Sequence, residues 1–373
     1  MVQLVFVHGV ATRSGDGYAQ AVQNRDALFK DILFEGQPVK IRSPQWGDLV
    51  PPIDPRVFET ANGITSFSLA VQPQGMGGGL AGGAGPAGDL SLASIAEQNS
   101  IVVLDAIFAE LVETADRTGI ALSASDIAAF RQATRAMADN KTDALLDGAA
   151  TDDEIAFNLG KSQTGSFGIG SKIKDAIDAV ANHLRNAVST VGFGAVRDSV
   201  SPAVAFFLGD VFNYLKEGDL RSAIQAKVRA DVLAAHEAAK ASGAPLVLVG
   251  HSLGGVIVTD MLESPRESGL PDDLKVSALI TVGSQSGLFQ SAGVLSLKAP
   301  AGQLIPRPRS VANWFNVFDP IDPLAFRADP IYTDVDDFSF NSITGLASAH
   351  TTYFKRPQFH ARCRKRLQDL GLI

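Results

Sequence analysis

Three residue types that together can activate a serine occur in the second half of this sequence. Ser252 lies in the segment Gly250-His251-Ser252-Leu253-Gly254, Asp319 and Asp322 follow it, and His350 comes last. A serine hydroxyl is a weak nucleophile, so it needs an imidazole to take its proton and a carboxylate to orient that imidazole. The order serine, acid, histidine predicts acyl transfer through a Ser-His-Asp triad.

The candidate serine lies where a strand pattern passes into a helix pattern. Residues 245–249 form an apolar run that predicts a buried parallel strand. Gly250 and Gly254 stand where a side chain would collide with neighbouring strand and helix. The helix pattern consists of Val256, Ile257, Met261 and Leu262. We predict a nucleophile elbow here, with a purely structural turn between strand and helix as the alternative.

Six histidines compete for the role of base. Five of them are placed elsewhere by their patterns: His8 and His251 in turns, His183 and His236 in helices before the serine, and His360 at the start of the last helix. Only His350 lies in a loop after both the serine and the acid, so we predict that it is the base. Position alone leaves the acid open, because Asp319 and Asp322 follow the same strand pattern.

The N-terminal segment predicts the second half of an oxyanion site. A buried apolar strand ends in His8-Gly9-Val10. In hydrolases with a nucleophile elbow, such a loop supplies one backbone N–H, and the residue after the nucleophile supplies the other. Val10 and Leu253 are therefore the predicted oxyanion donors. His8 itself is predicted to brace the loop and not to catalyse.

Strand and helix patterns alternate on both sides of a long central segment. Residues 1–55 carry strand, helix and strand patterns, and residues 201–373 carry the elbow strand, strands at 276–282 and 314–318, and a terminal helix. Such alternation predicts a mostly parallel sheet. Together with the elbow, it predicts an α/β-hydrolase fold whose core is formed by these two ranges. We predict that 314–318 is the last clear strand.

Residues 56–200 interrupt the alternation. The glycine-rich composition of the tract at 74–88 predicts a flexible loop, because it offers little apolar surface to bury. A phosphate-binding loop is the alternative, but no strand precedes the tract and no Lys-Ser/Thr follows it. Helical patterns dominate the remainder, at 90–118, 125–138, 152–157 and 173–188. We predict a mainly helical insertion or lid over the carboxyl edge of the sheet, where substrates bind in open α/β folds.

Composition excludes several classes of protein. The chain has 373 residues and a net charge of −8, which argues against a nucleic-acid partner, since such binding requires phosphate neutralisation. The single cysteine, Cys363, allows no internal disulfide and fits a reducing compartment. We recognise neither a signal peptide nor a run of about 18 uncharged apolar residues. These observations predict a cytoplasmic protein, with peripheral contact to membranes left open.

Four segments between about residues 209 and 354 resemble the intracellular phospholipase A1 family with a DDHD domain. They are Asp210-Val211-Phe212-Asn213-Tyr214-Leu215, the elbow at 250–257, the segment 316–330 and His350-Thr351-Thr352-Tyr353. The resemblance implies a lipid-hydrolysing enzyme and places Asp322 on the acid of that family. It also matches Asp210 to a family aspartate, to which we assign a structural or bracing role. Gly255 stands where that family has serine, and residues 56–200 have no counterpart.

The sequence therefore predicts a serine lipase or esterase. Ser252 attacks a carboxylic ester, His350 takes its proton and Asp322 orients His350, with lipid or phospholipid acyl esters as the favoured substrates. The alternatives are a soluble carboxylesterase, thioesterase or amidase, and a non-catalytic hydrolase-like binding or scaffold protein. No metal ion or other cofactor is implied, and neither substrate-binding residues nor protein partners are identified.

Overall fold

The computed structural model describes residues 1–10, 12–15, 17–51, 91–146, 148–161, 169–189, 209–216, 218–297, 303–341 and 349–373. The glycine-rich tract lies outside these ranges. Six strands occur within them: β1 Val2–Val7, β2 Val39–Arg42, β3 Leu246–His251, β4 Ala278–Val282, β5 Trp314–Phe318 and β6 Asp336–Ser339. They form one parallel sheet in the order β2-β1-β3-β4-β5-β6. The protein therefore has an α/β fold.

Helices connect these strands. In the described ranges they are α1 Tyr18–Leu28, α2 Leu92–Thr118, α3 Ala124–Ala138, α4 Thr142–Leu146, α5 Asp152–Lys161, α6 Ile169–Ser189, α7 Asp219–Ser242, α8 Leu253–Glu263, α9 Ser286–Ser291 and α10 Pro357–Asp369. A π-helical turn, Phe29–Leu33, continues α1, and residues 209–215 are helical. Because parallel strands need crossover connections, these helices cover both faces of the sheet.

The central strands are largely apolar because both faces of the sheet are buried. In β1, Leu4 and Phe6 contribute to a cluster with Phe29 and Phe354. Alternate residues of β1, such as Val5, belong to a second cluster with residues of α7 and α8. The period of two along a strand sends successive side chains to opposite faces, so one apolar run supplies both clusters.

Strand β6 corrects the prediction that the sheet ends at 314–318. It pairs with β5 in parallel, with Val317 beside Phe338, and so adds a strand at the edge of the sheet. Its four residues, Asp336–Ser339, are half-buried or exposed and include two aspartates. An edge strand has a partner on one side only and commonly carries charge, so it needs no continuous apolar run. The sequence pattern that identifies central strands therefore missed this one.

Helices α2 to α6 supply most of a third hydrophobic cluster. Val103, Ile107 and Leu111 of α2 pack there with residues of the following four helices. Leu28 of α1 and Ala361 of α10 belong to the same cluster. These helices therefore share apolar contacts with elements that also cover the sheet.

Helix α2 is long and apolar enough to cross a membrane, judged by length and composition alone. This differs from the expectation that no segment would qualify. Of its most apolar window, 61% is buried inside the protein. Packing against neighbouring helices gives the apolar face of α2 a role in the fold.

The segment after residue 350 joins α2 to the core. Lys355 makes an ion pair of 2.7 Å with Asp116. The backbone N–H of Gln358 donates to Asp105 at 2.9 Å, and the buried Arg356 lies 3.6 Å from the same carboxylate. The helical region and the carboxyl edge of the sheet are thereby held together beside His350.

Candidate active site

Ser252 occupies a strained turn between β3 and α8. Its φ is 52° and its ψ is −128°, a conformation that side-chain-bearing residues rarely adopt. The backbone N–H of Ser252 donates to the carbonyl of Val282 at 2.9 Å, which ties the turn to the end of β4. Such a turn lifts the hydroxyl above the carboxyl edge of the sheet.

Two glycines permit the close packing around this turn. A Cβ added to Gly254 would collide with the carbonyl oxygens of Val7 and His8. A Cβ added to Gly9 would lie 2.7 Å from the Cβ of Ser252. The loop after β1 therefore lies directly against Ser252, as the sequence prediction for residues 8–10 requires.

Ser252, His350 and Asp322 are joined by two consecutive hydrogen-bond contacts. Nε2 of His350 is 2.8 Å from Oγ of Ser252, and Nδ1 of His350 is 2.8 Å from Oδ2 of Asp322. The side chain of Asp322 is fully buried and that of His350 is 11% exposed. Because the carboxylate holds Nδ1–H, Nε2 presents its lone pair to the serine hydroxyl.

Tyr353 distinguishes the two candidate acids. Its hydroxyl donates to Oδ2 of Asp322 at 2.9 Å and accepts the backbone N–H of Asp319 at 2.9 Å. Oδ1 of Asp319 accepts the backbone N–H of Ile321 at 3.1 Å. Of the two carboxylates, the one within hydrogen-bond distance of His350 belongs to Asp322. Tyr353 belongs to the sequence pattern His-x-x-Tyr, but that pattern alone indicates no role for its hydroxyl.

His251 supports His350 from the other side. Nε2 of His251 donates to the backbone carbonyl of His350 at 2.8 Å, and the two rings lie 5.1 Å apart. Burial, together with the nearby His350 ring, lowers the pKa of His251 from 6.5 to about 3. His251 is therefore neutral at physiological pH, and it fixes the loop that carries the base. The position of His251 in the sequence indicates only a place in the turn.

The loop that carries Val10 is held by an aromatic stack. His8 lies parallel to Trp46, with ring centroids 4.9 Å apart, and Nε1 of Trp46 donates to the His8 carbonyl at 3.0 Å. Val10 itself is half-buried. Leu253 is the first residue of α8, so its N–H lies among the helix N-terminal groups that have no intrahelical acceptor.

An ion pair also holds this loop. Arg13 donates to both carboxylate oxygens of Asp210, at 2.6 and 3.2 Å. Asp210 is 1% exposed. A two-point contact between guanidinium and carboxylate fixes orientation as well as distance. Asp210 thus braces the segment after β1, which agrees with a bracing role and places it outside the Ser252–His350 contacts.

The remaining histidines lie away from this cluster. His360 is buried beside Phe29, Phe130 and Phe359, and its Nε2 donates to the Phe354 carbonyl at 2.8 Å. His236 lies 3.4 Å from Asp273. The side chain of His183 is outside the described part of the chain. Within that part, no group of three or more His, Cys, Asp or Glu side chains could hold a metal ion.

Comparison with known proteins gives one distant relation. A part of the chain is 31% identical to a protein of Schizosaccharomyces pombe described as a probable mitochondrial phospholipase. The match covers 22% of this chain and only 14% of that relative. No family model matches the chain, and no solved structure matches it. The chain is therefore similar, over a limited segment, to a phospholipase-related protein, and the cytoplasmic location expected from the sequence stays a prediction.

Proposed function

We propose that this protein is a serine hydrolase of the α/β-hydrolase type that cleaves carboxylic esters of lipids through an acyl-enzyme. The observation that carries the proposal is the contact from Asp322 through His350 to Ser252, with 2.8 Å at each step. Similarity to a protein described as a phospholipase favours a lipid among ester substrates.

The proposed reaction begins with attack of Oγ of Ser252 on the ester carbonyl. Nε2 of His350 takes the hydroxyl proton, and Asp322 stabilises the imidazolium that forms. The same proton then passes to the leaving alcohol as the acyl-enzyme is made. Water, deprotonated by His350, attacks the acyl-enzyme and releases the fatty acid.

The oxyanion of each tetrahedral intermediate would be held by backbone N–H groups of Val10 and Leu253. The Leu253 group belongs to the N-terminus of α8, whose dipole favours negative charge. Gly9 lies against Ser252, which brings the loop of Val10 to the same place. Donors fixed before the reaction stabilise the developing charge without reorganisation.

We further propose that residues 56–200 form a helical insertion on the core formed by residues 1–55 and 201–373. Among the described helices of this range, α2 is tied by Asp116 and Asp105 to residues that follow His350. The insertion would thereby shape the approach to Ser252 for a lipid substrate.

The substrate proposal is tested with liposomes of phosphatidylcholine and with p-nitrophenyl butyrate. Wild-type protein is expected to release fatty acid and lysolipid from liposomes, and Ser252→Ala is expected to release neither. If the wild type hydrolyses p-nitrophenyl butyrate but leaves the liposomes intact, the serine hydrolase reaction is supported and phosphatidylcholine is rejected as its substrate. Turnover of neither substrate would reject the proposed reaction and favour a hydrolase-like binding protein.

A further inference from the structure

The hydrogen bonds that lead from Ser252 to Asp322 continue to one further side chain, Tyr353. Its hydroxyl lies 2.9 Å from Oδ2 of Asp322, the same oxygen that lies 2.8 Å from Nδ1 of His350. The other oxygen, Oδ1, accepts the backbone N–H of Leu324 at 2.9 Å. The tyrosine and the base therefore share one carboxylate atom, so a change at the hydroxyl can reach the imidazole through that atom.

The contacts of the Tyr353 hydroxyl fix the direction of its proton. The backbone N–H of Asp319 lies 2.9 Å from the hydroxyl oxygen, and since an N–H can only donate, it occupies a lone pair there. The ionised carboxylate of Asp322 can only accept, so the hydroxyl proton lies between the two oxygens. Burial raises the pKa of Tyr353, and the charge of Asp322 acts in the same direction. Tyr353 therefore keeps its proton at physiological pH and donates it to Oδ2.

Packing against the end of β4 holds this contact in place. The side chains of Tyr353 and Asp322 are both buried. A Cβ added to Gly283, whose φ is 57°, would lie 2.9 Å from the Tyr353 ring and 3.3 Å from Oδ2 of Asp322. The backbone N–H of Gly283 donates to the Val317 carbonyl at 2.9 Å, which ties this glycine to β5. Both partners of the hydrogen bond thus lie directly against the backbone of the sheet.

The other titratable groups close to Tyr353 leave Asp322 as its link to the base. The ring of His251, from the end of β3, lies 6.3 Å from the Tyr353 ring and is neutral, because its pKa is lowered to about 3. Asp319, from the loop after β5, meets the hydroxyl with its backbone N–H, while its carboxylate accepts the N–H of Ile321. The hydrogen bond to Oδ2 therefore couples Tyr353 to the proposed triad.

We propose that Tyr353 is a positioning residue that acts through Asp322, because its hydroxyl orients the carboxylate and reduces the negative charge presented to His350. The proposal rests on the proposed ester hydrolysis at Ser252 and adds a fourth side chain to it. A hydrogen bond to an ionised carboxylate stabilises the ionised form. Without this donor, the carboxylate is less well oriented and binds the imidazolium more strongly, so the base loses its proton at a higher pH.

The variant Tyr353→Phe removes the hydroxyl and keeps the ring. We expect kcat on p-nitrophenyl butyrate to fall about tenfold, as for the loss of one hydrogen bond to a charged group. We also expect the acid limb of the kcat/KM profile to move to higher pH by about half a unit. A lower kcat with the wild-type pH profile would overturn the proposal, because that result reports only a disturbed loop. Unchanged kinetics would overturn it as well.

Tyr214→Phe is the matched control, because it removes a buried hydroxyl with the same kinds of partner. The Tyr214 hydroxyl donates to Oδ2 of Asp260 at 2.7 Å and accepts from Nε2 of Gln225 at 3.2 Å. Neither partner belongs to the proposed triad. We expect Tyr214→Phe to leave kcat and the acid limb of the profile unchanged. An equal shift of the acid limb in Tyr214→Phe would overturn the assignment to Tyr353.

A double substitution tests whether the effect of Tyr353 passes through Asp322. Two residues that act through one contact give non-additive losses. In the Asp322→Asn protein, adding Tyr353→Phe is expected to cause no further loss of kcat. A further loss of about tenfold, as for an independent hydrogen bond, would show that the tyrosine acts elsewhere and would overturn the proposal.

The protonation of His350 provides a readout that does not depend on turnover. Its imidazole signal in the NMR spectrum is assigned by its absence in His350→Ala. We expect the titration midpoint of this signal to be higher in Tyr353→Phe than in the wild type and in Tyr214→Phe. Equal midpoints in the three proteins would overturn the proposal. Failure of the wild type to hydrolyse p-nitrophenyl butyrate would reject the proposed reaction separately, and the titration would still decide whether Tyr353 acts on His350.

Discussion

At the scale of single residues, Asp322 and Asp319 differ in what their carboxylates touch. Asp322 contacts Nδ1 of His350, whereas Asp319 accepts a backbone N–H of its own loop. An amide at the acid position stabilises the wrong imidazole tautomer while it preserves shape. We expect Asp322→Asn to lower kcat on p-nitrophenyl butyrate by about 10⁴-fold.

Asp319→Asn is the matched control for this prediction, because it makes the same chemical change three residues away. We expect it to retain most of the activity, since an amide oxygen can still accept the Ile321 N–H. Comparable losses in the two variants, or a larger loss in Asp319→Asn, would contradict the assignment of Asp322.

The residues named from the sequence are those that a local pattern or chain order can identify. Ser252 stands in a glycine-flanked turn, and His350 follows it in a late loop. The choice of Asp322 over Asp319 depended on the resemblance to the phospholipase A1 family, because both aspartates follow the same strand. The roles of His251 and Tyr353 depend on contacts across 99 and 31 positions of the chain, which no local pattern reports.

At the scale of elements, the elbow depends on how closely α8 approaches β1. Gly254 meets the carbonyls of Val7 and His8, so a methyl group there must push the helix away from the strand. Overpacking of this kind typically costs about 1–3 kcal/mol. We expect Gly254→Ala to lower the free energy of unfolding by this amount, measured by urea denaturation, and to abolish ester hydrolysis.

Gly170 in α6 provides the control for that substitution. A Cβ added there meets no atom of the described residues within 4 Å. We expect Gly170→Ala to leave activity unchanged and to maintain or slightly raise stability, because alanine loses less backbone entropy than glycine. Full activity in Gly254→Ala would show that the close approach is not needed.

Elements with a strong pattern were predictable, and the edge of the sheet was not. Apolar runs indicated β1, β3 and β4 because both of their faces are buried, and the parallel α/β arrangement is confirmed by the pairing of the strands. β6 is short and polar, and backbone pairing with β5 holds it in the sheet, not burial of its side chains. A pattern that detects burial gives no signal for such a strand.

At the scale of the whole molecule, three buried neutral histidines make stability depend on pH. Burial lowers the pKa values of His8 and His360 to about 4 and that of His251 to about 3. In the unfolded chain each titrates near pH 6.5, so below that pH the unfolded state binds protons that the folded state does not. Each histidine therefore removes stability as the pH falls from about 6.5 towards 4.

His360→Phe isolates one of these contributions, because His360 packs among aromatic rings outside the site. Between pH 7 and pH 5 the wild type is expected to lose about 2 kcal/mol more unfolding free energy than the variant. Urea denaturation at the two pH values measures the difference. An identical pH dependence in both proteins would show that His360 keeps its ordinary pKa in the folded state and would contradict the prediction.

The most direct test of the whole account is covalent labelling by a fluorophosphonate probe, followed by identification of the modified residue by mass spectrometry. Such probes report a serine whose hydroxyl is activated by a neighbouring base. We expect modification at Ser252 in the wild type, strongly reduced labelling in His350→Ala, and none in Ser252→Ala. An unlabelled wild type that is folded, or labelling at another serine, would contradict the claim that Ser252 is the nucleophile of a hydrolase.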